Sequence, residues 1–192
     1  TLLPQAVSLV ALAFNYHTGD HPEIDGSHGK ISRYAWGDDY HNLLKSKLFT
    51  LLDYIKSFDK SLNGICCVDT SPISEKVWAQ RAGLGWIGKH TNLITKDYGT
   101  WVFLGEIITD FKLEYDKVFT TNLCGSCTAC VDACPTDAII GDYKLDATKC
   151  ISYQTIENRS EIPEEFSECY NEIIPVSSKK AKNIDKLKQV IK

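Results

Sequence analysis

The sequence predicts a mixed protein, α/β or α+β, in two parts: a strand-and-helix region and then a small cysteine-dense module. Three observations carry this. Short apolar, β-branched runs alternate with segments of helical periodicity over residues 1–118. Four cysteines then crowd into residues 124–134. Composition is the third: 43 % hydrophobic and 24 % charged over 192 residues is globular, and enough chain to bury a core. It excludes a disordered polymer and a membrane protein as overall classes.

Residues 7–16, rich in β-branched and apolar side chains, predict a buried strand. Their apolar run is too short to span a bilayer. No basic stretch followed by an apolar core opens the chain, so neither a membrane association nor a signal peptide is expected. A polar loop over 17–30 carries Gly19, Pro22, Gly26 and Gly29. A long helix is expected over 38–58, where Tyr40, Leu43, Leu44, Leu48, Leu51, Leu52, Ile55 and Phe58 recur at three- and four-residue steps. Asp38 is its expected N-cap, with Trp36 and Tyr40 packing onto the core. A second strand covers 64–69, its Cys66 and Cys67 serving as small buried hydrophobes. A turn at 70–72 leads to a helix over 75–81, which Gly83 terminates as a C-cap. Residues 92–95 and 100–108 predict a hairpin around 97–99. A change of composition over 112–122 marks a boundary, and 151–157 has helical character.

Beyond that boundary lies C-x2-C-x2-C-x3-C-P, formed by Cys124, Cys127, Cys130, Cys134 and Pro135. Cysteines this close are poor disulfide partners, and a zinc site needs neither the x3-C step nor the proline. The run is the bacterial ferredoxin signature: thiolates wrap a cubane cluster, and the fourth Cys ligates the other cluster of a pair. Gly125, Ser126 and Ala129 let backbone N–H groups approach the sulfides. Cys150 is a further candidate ligand, whereas a second complete run is missing and Cys169 is the last thiol.

Polar and aromatic residues cluster in the first part. RYAWGDDYH (33–41) gathers an Arg, three aromatics, two Asp and a His at a helix entrance, with Arg33 and Tyr34 in the loop before it. GLGWIGK (83–89) is a Gly-rich turn without P-loop spacing; it fits close backbone approach to a flat cofactor, with Lys89 reaching a carboxamide or phosphate. Asp69 ends a buried strand. Two readings of it stand: a catalytic group, as at strand ends of open α/β sheets, or an Asx-turn accepting N–H bonds from Ser71 or Ile73.

RYAWGDDYH (33–41), VDTSPISE (68–75), RAGLGWIGKHT (81–91), FLGEII (103–108), the Cys run and CISYQTIE (150–157) together resemble the epoxyqueuosine reductase family. The resemblance runs from residue 1 to about 165, in family order. It implies an α+β chain in which a nitroreductase-like α/β cobalamin-binding domain (1–118) precedes a ferredoxin-like iron–sulfur module (119–165) with two [4Fe–4S] clusters. A Lys-rich helical segment (166–192) follows. It further implies a cytoplasmic oxidoreductase of queuosine biosynthesis, reducing epoxyqueuosine to queuosine in tRNA with electrons from a flavodoxin or ferredoxin. Asp69 takes the family's proton-donor place. Cys124, Cys127 and Cys130 take three ligand places of one cluster, Cys134 and Cys150 two of the other. By chemistry and neighbourhood, Arg33, Lys89, Thr91, Asn92, Leu93 and Ser152 are expected around the corrin. Another corrinoid reductase, of the dehalogenase type, and a non-enzymatic cobalamin-handling or electron-transfer protein are the alternatives.

The net charge of −4 is uneven, since 177–192 carry six Lys against Asp185. Such an end is either a solvated helix face or a polyanion contact, and tRNA is expected there and near 157–159. A start at Thr1, no Met, and the missing Cys run together predict skipped chain, above all between residues 165 and 180.

Overall fold

The computed structural model describes residues 2–20 and 31–158, which fall into two compact units. The first comprises 1–18, 32–88 and 92–125, the second 19–31, 89–91 and 126–192. The expected breaks at 165–180, Cys169 and the Lys-rich end lie outside the described residues.

In the first unit the chain forms β1 (Ser8–Asn15), α1 (Tyr40–Phe58), β2 (Gly64–Cys67) and α2 (Glu75–Arg81). Then follow β3 (Gly85–Ile87), β4 (Leu93–Thr95) and β5 (Val102–Thr109). The main sheet has the order β1-β5-β2 and is antiparallel throughout. The open parallel-sheet reading of the Asp69 strand end is thereby replaced. Strand β2 stops at Cys67, and a turn, not the sheet's polarity, sets the position of Asp69.

Helix α1 buries Leu44, Leu48 and Leu52, an i, i+4, i+8 stripe, against Val68 and Ile107 of the sheet region. Val10, Leu12, Phe14, Tyr40, Leu51, Cys66 and Phe103 close around this core. Cys67 is fully buried and Cys66 partly so, as their apolar setting predicts. The helix begins one residue later than expected: Asp39, not Asp38, is the N-cap, accepting the His41 N–H at 2.9 Å. Tyr40 packs inward, but Trp36, which caps a single 3-10 turn over Arg33–Ala35, stays exposed.

The predicted hairpin forms with different partners. Strand β4 pairs with β3, and β5 enters the main sheet between β1 and β2. The turn itself is present, since Thr95 and Gly99 exchange both backbone hydrogen bonds, at 2.8 and 3.1 Å. What leaves is the second arm. Its eight residues pair along their full length with β1 and over four residues with β2, where the three-residue β4 offers few bonds. Gly85 allows the β3–β4 approach: a Cβ there would stand 2.1 Å from the Ile94 carbonyl oxygen. Gly83, at φ +82°, ends α2 as expected for a C-cap glycine.

In the second unit a short helix, α3 (Ala129–Asp132), leads to β6 (Ile139–Gly141) and β7 (Lys144–Leu145), a small antiparallel pair. The Asp146 N–H to the Ala138 carbonyl (2.8 Å) closes this hairpin. A wide π-helical turn over Tyr153–Glu157 follows, in the segment predicted to be helical; its buried Gln154 donates to the Thr148 carbonyl at 2.8 Å.

Candidate active site

Two residues beyond β2, Asp69 adopts a left-handed backbone with φ +52°. A residue with a Cβ stays there only when its surroundings hold it. Glu75, in the first turn of α2, supplies that hold: its Oε1 accepts the Asp69 N–H at 2.5 Å. The Asx-turn expected from the sequence does not involve Ile73, whose N–H goes to the Ser71 carbonyl at 2.8 Å. The Asp69 carboxylate instead meets the first turn of α1. Its Oδ2 accepts the Tyr40 O–H at 3.2 Å and lies 3.3 Å from His41 Nε2, while the side chain remains 59 % exposed.

His41 Nδ1 lies 2.7 Å from Oδ1 of Asp39, so the imidazole bridges two carboxylates. Burial opposes its charge, but the hydrogen bonds and negative charges of Asp39 and Asp69 prevail and raise its pKa. An imidazolium satisfies both carboxylates at once. Burial, then the Asp69 and Glu75 charges, raise the Tyr40 hydroxyl above its ordinary range, keeping it a donor. Rings line this corner. Tyr40 stacks on His41 (4.1 Å) and on Phe103 (4.0 Å), Phe103 contacts Tyr16 (4.4 Å), and the Arg33 guanidinium lies 4.9 Å from the Trp101 ring centre.

Behind Asp69 stand two acids. Burial and the neighbouring Glu75 charge push Glu106 up to about 8, and burial likewise raises Glu75. Sequence reasoning assigned them no role, although a Glu inside an apolar strand was a visible signal. It also read Tyr40 only as core.

Among the other expected cofactor residues, Asn92 accepts the Gly88 N–H through its carbonyl at 2.8 Å, and Leu93 is buried in β4. In the second unit Thr91 has φ +68° and Ser152 is exposed before the terminal turn. Lys89, nearly buried, holds Asp142 at 3.4 Å. That ion pair would have to open before Lys89 could reach a cofactor.

None of the described cysteines is in a disulfide. Cys124 Sγ, in the first unit, receives the Trp86 indole N–H at 3.4 Å. In the second unit Cys127 is exposed, and Cys130, Cys134 and Cys150 are partly buried. Cys134 Sγ accepts the Ala138 N–H at 3.3 Å. Burial would raise this thiol, but backbone N–H groups of Thr136, Ala138 and Ile139 outweigh it and lower the pKa. N–H donors aimed at a sulfur are the environment a cluster thiolate requires. Among the described residues no three His, Cys, Asp or Glu side chains close around a single metal ion. A cubane instead spreads its thiolates, one to each iron.

The cysteine module defines the class as an iron–sulfur protein, one that also carries an exposed, hydrogen-bonded carboxylate at Asp69. The family described as epoxyqueuosine reductase QueG, DUF1730, matches residues 1–70, and the 4Fe-4S double cluster binding domain matches 123–176. The epoxyqueuosine reductase of Synechocystis sp. is 52 % identical over 161 residues, covering 84 % of this chain and 55 % of that one. That of Cellulophaga algicola is 47 % identical over 165 residues, covering 86 % and 53 %. A solved epoxyqueuosine reductase with a tRNA-Tyr epoxyqueuosine-modified stem loop superposes with TM-score 0.76 at 38 % identity, over 86 % of this chain and 44 % of that one. The Bacillus subtilis enzyme, with its catalytic aspartate loop swung out of the active site, gives 0.74 at 37 % identity, over 86 % and 44 %. Over the region they share the chain is similar to the epoxyqueuosine reductases, and it spans about half the length of these curated relatives. Among the described residues no helix is long and apolar enough to cross a membrane.

Proposed function

We propose that the protein is an oxidoreductase that converts epoxyqueuosine to queuosine in tRNA, taking up two electrons and two protons and releasing the epoxide oxygen as water. The observation that carries this is the Asp69 carboxyl, exposed yet held by Tyr40 and His41, in a chain with a double-cluster cysteine run. The solved relative with an epoxyqueuosine-modified stem loop supports the substrate.

Cys124, Cys127, Cys130, Cys134 and Cys150 are the proposed thiolates for two [4Fe–4S] clusters, and the N–H donors at Cys124 and Cys134 suit that role. Cobalamin is the proposed second cofactor. Asp69, Tyr34 and Trp101 keep exposed surface beside stacked rings, a corner suited to a large flat group. Arg33, Asn92 and Leu93 are the proposed contacts to it within the first unit; Lys89, Thr91 and Ser152 are proposed for it on the sequence pattern alone. When bound, it supplies the strongly reducing centre that side chains lack.

The chain's own residues handle the protons. As the epoxide opens, negative charge develops on its oxygen, and Asp69 relays to that oxygen a proton received from the His41 imidazolium. Tyr40 O–H, on Oδ2, fixes the carboxyl's direction. His41, bridging Asp39 and Asp69, returns a proton through Nε2, so the second can follow as water departs.

The proposal extends to a nitroreductase-like cobalamin domain over 1–118 and a ferredoxin-like module over 119–165. A flavodoxin or ferredoxin serves as donor, in the reducing cytoplasm where cluster thiols persist. Turnover of epoxyqueuosine tRNA by reconstituted Asp69→Asn protein tests the core of it. A loss of at least about 100-fold is expected for a general acid; unchanged reduction removes Asp69 from the mechanism.

A further inference from the structure

Glu106 sits in the middle of β5 with 0 % exposure, and among the described residues neither carboxyl oxygen has a partner at full hydrogen-bond geometry, the Glu75 carboxyl being the side chain that interacts with it. Its register neighbours are Ala11 on β1 and Cys67 on β2, which supply no cation. From α2 the group facing it is Glu75. Glu75 in turn faces Asp69, Lys76 on its own helix, and Tyr40 of α1. A buried carboxylate with no donor is unstable, so the group keeps its proton and needs an acceptor. Glu75 is the acceptor at hand. Its Oε1 is already committed to the Asp69 N–H, the bond that opposes relaxation of a left-handed, non-glycine residue.

We propose that Glu106 and Glu75 form a hydrogen-bonded acid pair, one proton between them, that clamps the Asp69 backbone; both are positioning residues for the Asp69 carboxyl. Three links run in series: the sheet floor holds Glu106, Glu106 fixes the Glu75 carboxylate, and Glu75 fixes the turn. The inference rests on the reading of Asp69 as the acid for its importance to catalysis, but the clamp has its own observable. Burial beside Glu75 places loss of the shared proton at about pH 8, above which two carboxylates would repel and slacken the clamp.

The test follows the Asp69 amide proton by hydrogen exchange, alongside turnover, in the whole chain and its Glu75→Ala, Glu75→Gln and Glu106→Gln variants. Glu75→Ala should lower the Asp69 protection factor about 10-fold, the loss of one hydrogen bond. It should also lower kcat while leaving KM for the tRNA unchanged. Glu75→Gln should restore both, since its carbonyl oxygen accepts the same N–H. Wild-type protection should fall as pH rises through about 8, and Glu106→Gln, which cannot ionise, should abolish that fall. Unaltered Asp69 protection in Glu75→Ala, or the same pH response in Glu106→Gln, overturns the clamp. Full turnover by Asp69→Asn, with protection still lost in Glu75→Ala, leaves the clamp standing and removes the acid role.

Discussion

His41 links Asp69, the proposed acid, to Asp39, and in that proposal its charge state controls proton return. Its pKa is raised because the two flanking carboxylates outweigh burial. The protonated form is therefore populated below a value above 6.5 and lost as pH rises through it. Turnover limited by proton return should fall on that alkaline side, and His41→Gln should be slower at acid pH with the dependence flattened. A kcat–pH profile checks this; an unchanged profile in the variant removes His41 from the relay. Legibility ended at this scale. The sequence grouped Arg33, Tyr34, Asp39, Tyr40 and His41 as one polar cluster and singled out Asp69. That His41 and Asp69 meet, 28 residues apart, follows only from the packing of α1 beside the turn after β2.

Single elements carry predictions of their own. Leu48 is completely buried at the centre of the α1 stripe. Leu48→Ala should cost about 2–5 kcal/mol, read as a lower denaturation midpoint. Gly85→Ala places a methyl against the Ile94 carbonyl, a backbone atom that cannot swing away. It should separate β3 from β4 and destabilise more than Ala at an exposed helical site, measurable by the same unfolding curve. The helices were readable because their period is local: stripe, cap and terminating glycine all lie within the segment itself. Strand pairing was not. The 92–95 and 100–108 runs have hairpin spacing, yet β5 pairs with β1 and β2 from far along the chain. Short-range turn signals do not reveal which distant edge offers the longer ladder.

On the scale of the whole molecule, stability should depend on pH in two opposite senses. Asp39, Asp59, Asp110 and Asp146 are held below their ordinary values, by His41, Ser61, Asn63 and Thr148 respectively. Their contribution is present above the unfolded carboxylate range and lost as pH falls through the depressed values. Glu106 is raised, from 4.5 to about 8, so its contribution is complete below 4.5 and lost as pH rises through 8. The melting temperature should therefore peak in mildly acidic solution and fall toward pH 9, by roughly 5–10 °C if the shift is worth a few kcal/mol. Glu106→Gln should flatten the alkaline side; a profile identical to wild type contradicts a protonated, buried Glu106. The proposed binding to tRNA belongs to this scale too. With a net charge of −4, contact with a polyanion needs local cations, so the logarithm of affinity should fall linearly with the logarithm of salt concentration.

What the sequence by itself determined is the chemistry that sits close along the chain. The cysteine spacing points to cluster ligands because two residues between successive thiols are enough to wrap a cubane. The α1 stripe specifies a buried helix face, and the family blocks mark Asp69. Tertiary structure decided what depends on distant partners: an antiparallel sheet with β5 at its centre, Lys89 paired to Asp142, and Glu106 sealed inside beside Glu75. The reason is physical. Capping, periodicity and ligand spacing act over a few residues and leave a local pattern. Burial and the sharing of a proton depend on which side chains the folded chain brings together, and a charged Glu in a strand carries no mark of its eventual neighbour.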